Sequence, residues 1–296
     1  MSTVSAILVS RDSAGYMDRC LRSLASQEGV AIEPVLVDNG SRDDSVTRYL
    51  RHYPEGKVLR QDTNLGFARG TNLGIEATRG ELVLLLNTDC FLEPGYLRRL
   101  ADRLALREDL AGVQGRYLLE GRQDIVDSLG IEIRITGVAR DIGRGRPDRG
   151  EREPVEVDAL CAAAALFRRS ALESVREEGH VLDPDFFSYY EDVDLCWRLR
   201  RRGYRFECVP AATALHVRGG SVTREGAMHR LALRNRYLTL AKNLPGSSLL
   251  LRLPVILGRE LLKIPWLCVR HPGALPGYLD ILRDLPLFFR KRKAHG

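Results

Sequence analysis

The chain has 296 residues, 44% of them hydrophobic and 28% charged, which is typical of a folded globular protein and excludes wholesale disorder and low-complexity architecture. Its net charge of +6 is uneven, because residues 224–296 carry 14 Lys and Arg against 4 Asp and Glu, whereas residues 1–223 are slightly acidic. Six cysteines without a CxxC pair argue against a zinc ribbon or a disulfide framework and favour reduced thiols. No apolar run reaches the ~18 residues of a membrane span, and the short apolar run at the N-terminus predicts a strand rather than a signal peptide.

The first 116 residues alternate between strand and helix patterns. Apolar runs predict strands at residues 5–9, 32–37, 57–60, 82–86 and 111–115. Helical spacing predicts helices at residues 16–27, from Ser41 onward, from a Gly-rich turn to residue 77, and at 94–106. We expect Ser41 to cap its helix, since serine is a preferred capping residue. Two acidic residues follow in the first turn, where the helix dipole favours negative charge. Strands that alternate with helices predict a mostly parallel α/β sheet covered on both faces, with ligands bound at the carboxyl ends of its strands.

Residues 117–154 differ in composition, because Gly, Arg and Asp dominate them. We expect a mobile insertion over the sheet. Regular patterns return with strands at 155–160, 162–167, 205–209 and 214–217 and a helix at 192–202, and the chain reads as helical after about residue 224. The expected organisation is a main α/β domain at 1–223, with halves at 1–116 and 155–223, followed by a helical extension at 224–296.

Four acidic or imidazole positions stand out in the main domain. Asp38 and Asp89 each end a predicted strand. Asp192 lies in the acidic start of a helix, and His216 ends a later strand. Each has a structural explanation: Asp38 can cap a helix, Asp194 can favour a helix dipole, and an isolated His216 can be structural. Asp89 is harder to explain in this way, because a charge beside an apolar strand is costly unless a metal or ligand compensates it. Their occurrence together favours a chemical site.

Five motifs carry a resemblance to a known family. They lie at residues 5–10 (SAILVS), 35–41 (VLVDNGS), 64–74 (NLGFARGTNLG), 85–89 (LLNTD) and 187–204 (FSYYEDVDLCWRLRRRGY). In this order they resemble the successive motifs of family 2 inverting glycosyltransferases with the GT-A fold. The subgroup they resemble is the rhamnosyltransferase-like enzymes of bacterial surface polysaccharide assembly. The resemblance covers residues 4 to about 245, and although DNGS alone is a weak signal, the ordered set is specific.

The resemblance implies that residues 1–116 bind a nucleoside-diphosphate sugar, dTDP- or UDP-linked. Asp38 would accept a hydrogen bond from the pyrimidine N3–H, and the Gly-rich turn would approach the nucleotide with Arg69 near the phosphates. The donor-binding residues implied are Ser10, Asp38, Asn64, Gly66, Arg69, Asn87 and Thr88. Asp89 matches the family's metal-binding acid and His216 a position that assists the metal or diphosphate. The implied cofactor is therefore a divalent cation, Mg²⁺ or Mn²⁺.

The resemblance also implies the catalytic residues, which fall in the acceptor-binding half at 155–223. Asp192 matches the general base that takes the proton of an acceptor hydroxyl, and one such base gives inversion in a single displacement. Glu191 would support Asp192 or contact the acceptor. The implied reaction moves a sugar, with rhamnose the first candidate and hexoses next, to a lipid-linked or saccharide acceptor in cell-surface polysaccharide synthesis.

Three features depart from the family's pattern. Arg11 and Asp12 stand where relatives have a pair such as Tyr-Asn, Asn87 replaces an acid, and Ala162 stands near a usual Gly. These departures bear on the donor and on metal affinity rather than on the class of reaction.

The helical extension carries the positive charge. Arg252, Arg259 and Lys263 fall on one helical face with leucines around the rest, and we expect Pro254 and Pro265 to break the segment into short helices. The chain ends in aromatics followed by four cations at residues 286–293. This pattern favours an interfacial helix on anionic lipid, and therefore a cytoplasmic protein held at the cytoplasmic face of the cell membrane. Packing on the catalytic body or on a second subunit, as in a homodimer, stays open.

Other function classes fit the sequence less well. A nucleotide-dependent oxidoreductase lacks its GxGxxG fingerprint, since residues 10–15 read SRDSAG, and no P-loop motif is present. Nucleic-acid binding is not expected, because the aromatics of the basic tail do not alternate with its cations. The alternative kept open is a non-catalytic subunit that binds sugar nucleotides in a polysaccharide assembly complex, against which the presence of both Asp89 and Asp192 argues.

Overall fold

The structure is a computed structural model that describes residues 2–218 and 225–293. Its strands are β1 (Thr3–Ser10), β2 (Ala31–Asp38), β3 (Lys57–Arg60), β4 (Leu82–Leu86), β5 (Cys90–Leu92), β6 (Leu110–Leu119), β7 (Arg122–Ser128), β8 (Ile131–Ile133), β9 (Ala139–Asp141), β10 (Val155–Val157), β11 (Ala164–Arg168) and β12 (Arg205–His216). Its helices are α1 (Ala14–Ala25), α2 (Ser45–His52), α3 (Gly66–Glu76), α4 (Tyr96–Leu106), α5 (Arg169–Ser174), α6 (Glu191–Arg201), α7 (Glu225–Asn243), α8 (Gly246–Arg270) and α9 (Pro276–Lys293). Single 3₁₀ turns lie at Pro184–Phe186 and Pro272–Ala274.

One central sheet organises the main domain. Its strand order is β10-β12-β6-β11-β4-β1-β2-β3, with β5 also paired to β12 and β7 to β6, while β8 and β9 form a separate pair. The four strands of the first half, β1 to β4, run parallel, as do β6 and β12, whereas β11 lies antiparallel between β4 and β6. The expected α/β architecture is therefore confirmed.

The period-2 alternation of the strands divides the core into two layers. In β1, Val4 and Leu8 face the layer that contains Leu21 of α1, whereas Ile7 faces the layer that contains Ile75 of α3. Because β4 is apolar on both faces, it lies buried between these layers, as parallel strands with helices on both sides do. Both layers hold the carboxyl edge of the sheet rigidly.

The segment at 117–154 is more regular than its composition predicts. It contains the end of β6 and all of β7, β8 and β9, and β7 pairs antiparallel with β6. The buried side chains of Val126 and Asp127 attach β7 to the domain. Short polar strands separated by glycine-containing turns give little period-2 signal, which is why the sequence did not predict them. The mobility expected for this segment stays a prediction.

Two other expectations about local structure are wrong. Ser41 does not cap a helix, because α2 begins only at Ser45, and the Ser41 hydroxyl instead accepts a hydrogen bond from the Asp12 amide at 3.1 Å. The strands expected at 205–209 and 214–217 are one strand, β12, with an irregularity in its pairing to β6 between Val209 and Thr213. The irregularity interrupts the apolar pattern without ending the strand.

The helical extension is confirmed, but its expected breaks are not. α8 continues through Pro254 and Pro265. The carbonyls that lose an amide partner belong to the exposed residues Leu250 and Leu261, so they lie at the surface and need no partner from the interior. Within the described ranges, no helix combines the length and apolarity needed to cross a bilayer.

The end of the chain packs back on the main domain. Phe288 of α9 is fully buried against Phe186, with the two rings edge to face at 5.2 Å. The Lys291 ammonium lies 2.7 Å from the Asp185 carboxylate. Part of the aromatic and cationic terminus that we expected at a membrane surface therefore contacts protein instead.

Candidate functional site

The carboxyl edge of the first strands brings the predicted donor-binding residues together. Ser10 and Asp38 are register partners at the ends of β1 and β2, and β4 ends beside β1, so residues 87–89 follow at the same edge. Asp38 accepts a hydrogen bond from the Ser41 amide at 3.0 Å. The Ser10 hydroxyl is buried and has no hydrogen-bond partner in the described part of the chain. An unpaired hydroxyl at this edge is suited to a ligand.

The Gly-rich turn is attached to this edge by Asn39, which the sequence analysis missed. The Asn39 amide nitrogen lies 3.0 Å from Asn64 Oδ1 and 3.1 Å from the Gly66 carbonyl, and its oxygen accepts from the Leu65 amide at 2.9 Å. Gly66 has φ +82°, and a Cβ there would lie 2.5 Å from the Phe187 carbonyl oxygen. Arg69 is exposed on α3. The turn is thus fixed to the sheet while Arg69 stays free to reach outward.

Asp89 and His216 meet because β5 pairs with β12. His216 is the register partner of Cys90, and the Val217 amide donates to the Asp89 carbonyl at 2.9 Å. The His216 Nε2 atom lies 3.5 Å from Asp89 Oδ1. Thr88, Asp89 and His216 are all buried, and the Asn87 amide ties their turn to the Ala163 carbonyl at 2.8 Å. The structure therefore brings together the two side chains predicted to bind metal.

A third acid, Asp127 of β7, completes this cluster and was missed. Its fully buried carboxylate lies 2.8 Å from His216 Nδ1 and also pairs with Arg218, which in turn pairs with Asp141. Burial alone would lower the pKa of His216, but the hydrogen bonds from its ring to Asp127 and Asp89 raise that pKa to about 9. The only sequence signal for Asp127 is its place directly after the short apolar pair 125–126.

The donor set around Asp89 fits a cation that is shared with a ligand. In the residues that the structure describes, no three His, Cys, Asp or Glu side chains form a ready-made cage. Asp127 holds His216 by Nδ1, as carboxylates that support metal-binding histidines do, so Nε2 is the ring nitrogen directed at Asp89. One carboxylate and one imidazole leave the other coordination positions to oxygens of a bound diphosphate and water.

Two adjacent carboxyl groups, Glu191 and Asp192, open α6. The carboxyl groups of both residues are buried, although part of Asp192 is exposed to solvent. Burial raises the pKa of Asp192 to about 6, because it outweighs hydrogen bonds from the Val193 and Ala162 amides, and the charge of Asp141 adds to it. Burial and the charge of Asp192 raise the pKa of Glu191 well above its usual range. At neutral pH Asp192 is thus ionised, and Glu191 beside it releases its proton less readily than an ordinary glutamate.

Contacts through the backbone connect this pair to the metal-binding turn. Asp192 accepts from the Ala162 amide at 3.4 Å, and the next residue, Ala163, accepts from Asn87. On the other side, Asp141 acts on the pKa of Asp192 and belongs to the ion-pair cluster of Asp127 and His216 described above. The residues predicted to act on donor and acceptor therefore border one region of the fold.

Comparisons with known proteins identify relatives of this chain. The chain is 29% identical over 260 residues to the N-acetylglucosaminyl-diphospho-decaprenol L-rhamnosyltransferase of Mycobacterium tuberculosis (strain CDC 1551 / Oshkosh), covering 79% of this chain and 83% of that protein. It is 33% identical over 113 residues to the succinoglycan biosynthesis protein ExoO of Rhizobium meliloti (strain 1021), covering 38% of this chain and 31% of that protein. The chain is thus rhamnosyltransferase-like over most of its length.

Solved structures support the fold. A structure of Staphylococcus aureus TarS residues 1–349 matches with a TM-score of 0.61 at 16% identity, over 97% of this chain and 81% of that one. A structure of GalNAc-T7 with UDP, GalNAc and Mn²⁺ matches with a TM-score of 0.64 at 14% identity, over 82% of this chain and 48% of that one. These are GT-A glycosyltransferases, so the expected fold is confirmed. The sequence model of glycosyl transferase family 2 matches residues 5–176, more than half of the chain, and the chain belongs to that family.

Proposed function

We propose that this glycosyltransferase moves a sugar from a nucleoside diphosphate to an acceptor hydroxyl with inversion, and that Asp192 is the general base. The observation that carries the proposal is the unequal pair at the start of α6. Asp192, with a pKa of about 6, is ionised at neutral pH and can accept a proton, whereas the pKa of its neighbour Glu191 is raised well above its usual range. Two adjacent acids with raised and unequal pKa values are suited to proton transfer rather than to structure alone.

In the proposed step, Asp192 takes the proton of the acceptor hydroxyl as its oxygen attacks the anomeric carbon. The bond between that carbon and the diphosphate oxygen breaks on the opposite face, so the anomeric configuration inverts and the diphosphate leaves. In its protonated form, Glu191 can donate a hydrogen bond to the acceptor or to Asp192. Burial of both carboxyl groups limits competition from water for the same carbon.

The donor would lie along the carboxyl edge of β1, β2 and β4. Asp38 would accept from the pyrimidine N3–H, and the Ser10 hydroxyl, which lacks a protein partner among the described residues, would bond to the nucleotide. Asn64, Gly66, Arg69, Asn87 and Thr88 complete the proposed donor site. Asp89 and His216 would hold a divalent cation, which offsets the charge that develops on the departing diphosphate. Asp127 keeps His216 in the orientation that this requires.

The sugar is proposed from the relatives. The mycobacterial relative is named as an L-rhamnosyltransferase, which favours dTDP-rhamnose, whereas a TarS structure holds UDP-GlcNAc and keeps UDP-hexoses as the second candidate. A thermal-shift panel of dTDP- and UDP-sugars, each with and without Mn²⁺, tests this. A true donor raises Tm as its concentration exceeds its Kd, and it does so more with Mn²⁺ than without. A panel in which no nucleotide sugar raises Tm would contradict the proposed donor site.

The pH dependence of turnover follows from the pKa of Asp192. Because the base must be ionised, we expect kcat to rise about tenfold per pH unit below pH 6 and to level off above it. The measurement is kcat at saturating donor and Mn²⁺ between pH 4.5 and 8.5 in overlapping buffers, in roughly unit steps. An acid limb centred near pH 4, the ordinary value for an exposed aspartate, would contradict a buried base.

The acceptor and the membrane are proposed together. The mycobacterial relative is named for a decaprenol-linked acceptor, and this chain presents an unusual surface on α8. There two of the cations face inward: Arg259 pairs with Glu260 at 2.8 Å, and burial lowers the pKa of Lys263 to about 8. The outward surface of α8 and α9 is largely apolar beside the exposed Arg270, Arg283 and Arg290, and it includes Leu250, Leu251, Val255, Leu257, Leu261, Leu262, Trp266, Val269, Leu279 and Leu282.

An outward apolar surface of this kind favours a lipid occupant. The surface belongs to the segment with the chain's excess of positive charge, so anionic lipid suits both its apolar side chains and its cationic rim. We propose that α8 lies in the interface of an anionic bilayer at the cytoplasmic face of the cell membrane. The active site would then meet a lipid-linked acceptor there.

Substitution of two outward leucines tests the membrane proposal. Leu251 and Leu262 are 80% and 82% exposed. The double variant L251E/L262E should bind vesicles that contain an anionic phospholipid at least about tenfold more weakly in a sedimentation assay, since two apolar side chains no longer enter the interface. The matched control is L106E on α4, a leucine that is 76% exposed on the main domain, which should leave binding unchanged.

Two results would contradict the membrane proposal. One is equal vesicle binding by L251E/L262E and the control. The other is loss of self-association by the double variant in analytical ultracentrifugation, with no vesicle binding by either protein, which would assign the surface to a second subunit.

A further inference from the structure

The loop that delivers the two catalytic acids has an unusual backbone. Three of its non-glycine residues have positive φ: Phe187 at +65°, Tyr189 at +68° and Tyr190 at +71°. The Ser188 amide donates to the Phe186 carbonyl at 2.8 Å, which closes a tight three-residue turn. Side chains other than glycine seldom adopt these angles, and such a backbone persists only where its surroundings hold it.

A side chain of the helical extension, Asn235 of α7, holds this loop. It is fully buried. Its amide nitrogen lies 2.9 Å from the carbonyl oxygen of Phe186, 2.9 Å from that of Ser188 and 2.7 Å from that of Tyr189. Its own oxygen accepts from Arg234 at 2.7 Å. One donor group therefore bonds to carbonyls on both sides of the residue at the tight turn.

The same loop touches both halves of the site. The Phe187 carbonyl, in the middle of the loop, accepts from the Ala68 amide in the Gly-rich turn at 3.1 Å. Glu191 and Asp192 follow the loop directly at the start of α6. A displacement of the loop at 186–190 would therefore move Asp192, the proposed base, relative to the Gly-rich turn of the proposed donor site.

A second contact from α7 lies on the other side of Asp192. The Lys242 ammonium is 3.0 Å from the Asp194 carboxylate, and the Asn243 amide nitrogen is 2.8 Å from it. Arg198 also pairs with Asp194, and together these cations hold its pKa below the usual range in spite of burial. Asp194 is thus an anchor of α6 on α7 rather than only a partner of the helix dipole.

We infer that Asn235 is a positioning residue for the transfer reaction: it holds the loop at 186–190 so that Asp192 faces the bound donor. α7 then belongs to the catalytic unit and is more than a connection to α8. The inference rests on the proposed role of Asp192 as base. It differs from a stability role in one respect, because loss of Asn235 should slow the chemical step more than it weakens donor binding or folding.

The test compares Asn235→Ala with Arg230→Ala. Arg230 also lies on α7 and pairs with Asp280 of α9, so its removal loosens the extension without touching the loop. We expect N235A to lower kcat at least about tenfold while the donor KM changes less than about threefold, and R230A to keep kcat within about twofold. Hydrogen exchange of peptides across 186–194 should become faster in N235A and stay unchanged in R230A.

Several outcomes would overturn the inference. One is an unchanged kcat in N235A together with unchanged hydrogen exchange at 186–194, and another is an equal loss of kcat in both variants in proportion to their Tm. If N235A does not fold, Asn235→Ser, which keeps a short donor, replaces it, with the same readouts and the same two criteria. Asp192→Asn is assayed in parallel: turnover in D192N would reject the proposed base, whereas an inactive D192N beside a fully active N235A would reject the positioning role alone.

Discussion

Asp192→Asn should lower kcat by about 10²- to 10⁴-fold, the range that a general base contributes, while the Kd for a nucleotide sugar stays nearly the same. The change keeps the shape of the side chain and removes only its capacity to take a proton. Donor affinity should persist, because the proposed donor residues lie on β1, β2, the Gly-rich turn and the turn at 87–89, and none of them belongs to α6. Isothermal titration with the donor identified by the thermal-shift panel, beside steady-state assays, measures both quantities.

The same variant should be more stable than the wild type. Asp192 has a raised pKa, so its ionised form costs folding free energy above about pH 6, and this cost disappears below the ordinary carboxyl value near pH 4. The shift of roughly two units corresponds to at most about 3 kcal/mol. Tm of D192N should therefore exceed that of the wild type at pH 8, and the difference should vanish toward pH 4.

Glu191→Gln is the matched control for this prediction. The pKa of Glu191 is raised well above its usual range, so the neutral amide is a close replacement for its protonated form and kcat should fall by no more than about tenfold. A result in which E191Q loses activity to the extent of D192N, and D192N retains the acid limb of the pH profile, would assign the base to Glu191 instead.

Asp89→Asn should abolish the dependence of donor binding on Mn²⁺ and lower kcat at least about 100-fold. The amide keeps the size of the side chain but removes the one carboxylate that lies beside His216 Nε2, at 3.5 Å. The measurement is donor Kd with and without Mn²⁺, which reports on the cation apart from turnover. Asp102→Asn, an exposed acid on α4, is the control and should change neither quantity.

A different outcome would contradict the proposed cation site. If D89N bound the donor with the same gain from Mn²⁺ as the wild type, the cation would not be held at Asp89. His216 would then serve only as a partner of the Asp127 and Asp89 carboxylates, which raise its pKa.

The architecture of the first half could be predicted because its signals are local. The apolar run of β4 and the helical spacing of Met17, Cys20, Leu21 and Leu24 in α1 each bury one continuous surface, so composition and period suffice. The acids at strand ends were predictable for the same reason, since parallel strands place their carboxyl ends at one edge. Asp38 and Asp89 therefore lie where the sequence places them.

The parts that could not be predicted depend on contacts between distant segments. Asp127 reaches His216 across 89 positions of the chain, and only the β6–β7 hairpin brings it there. α7 buries polar side chains, and Asn235 is one of them. The apolar pattern of α7 therefore gave no sign of the role of Asn235. Similarly, no local signal separates Phe288, which packs on Phe186, from an aromatic that enters lipid.

The inward cations of α8 illustrate the same point. The sequence analysis placed Arg252, Arg259 and Lys263 on one face, but their spacing alone could not say whether that face meets water, lipid or protein. Arg259 and Lys263 lie toward the protein, and the leucines lie outward. The direction of an amphipathic helix depends on its packing partner, here α7, whose Arg236 pairs with Glu260 of α8 at 2.8 Å, and not on its own period.

The measurement that tests the central proposal most directly is the anomeric configuration of the transferred sugar. Proton NMR of the product formed by the wild-type enzyme, with the donor that the thermal-shift panel identifies, should give an anomeric signal of the configuration opposite to that of the donor. A single displacement assisted by Asp192 requires this inversion. A product that keeps the donor's configuration would contradict the account, because retention needs a second displacement or a different transition state.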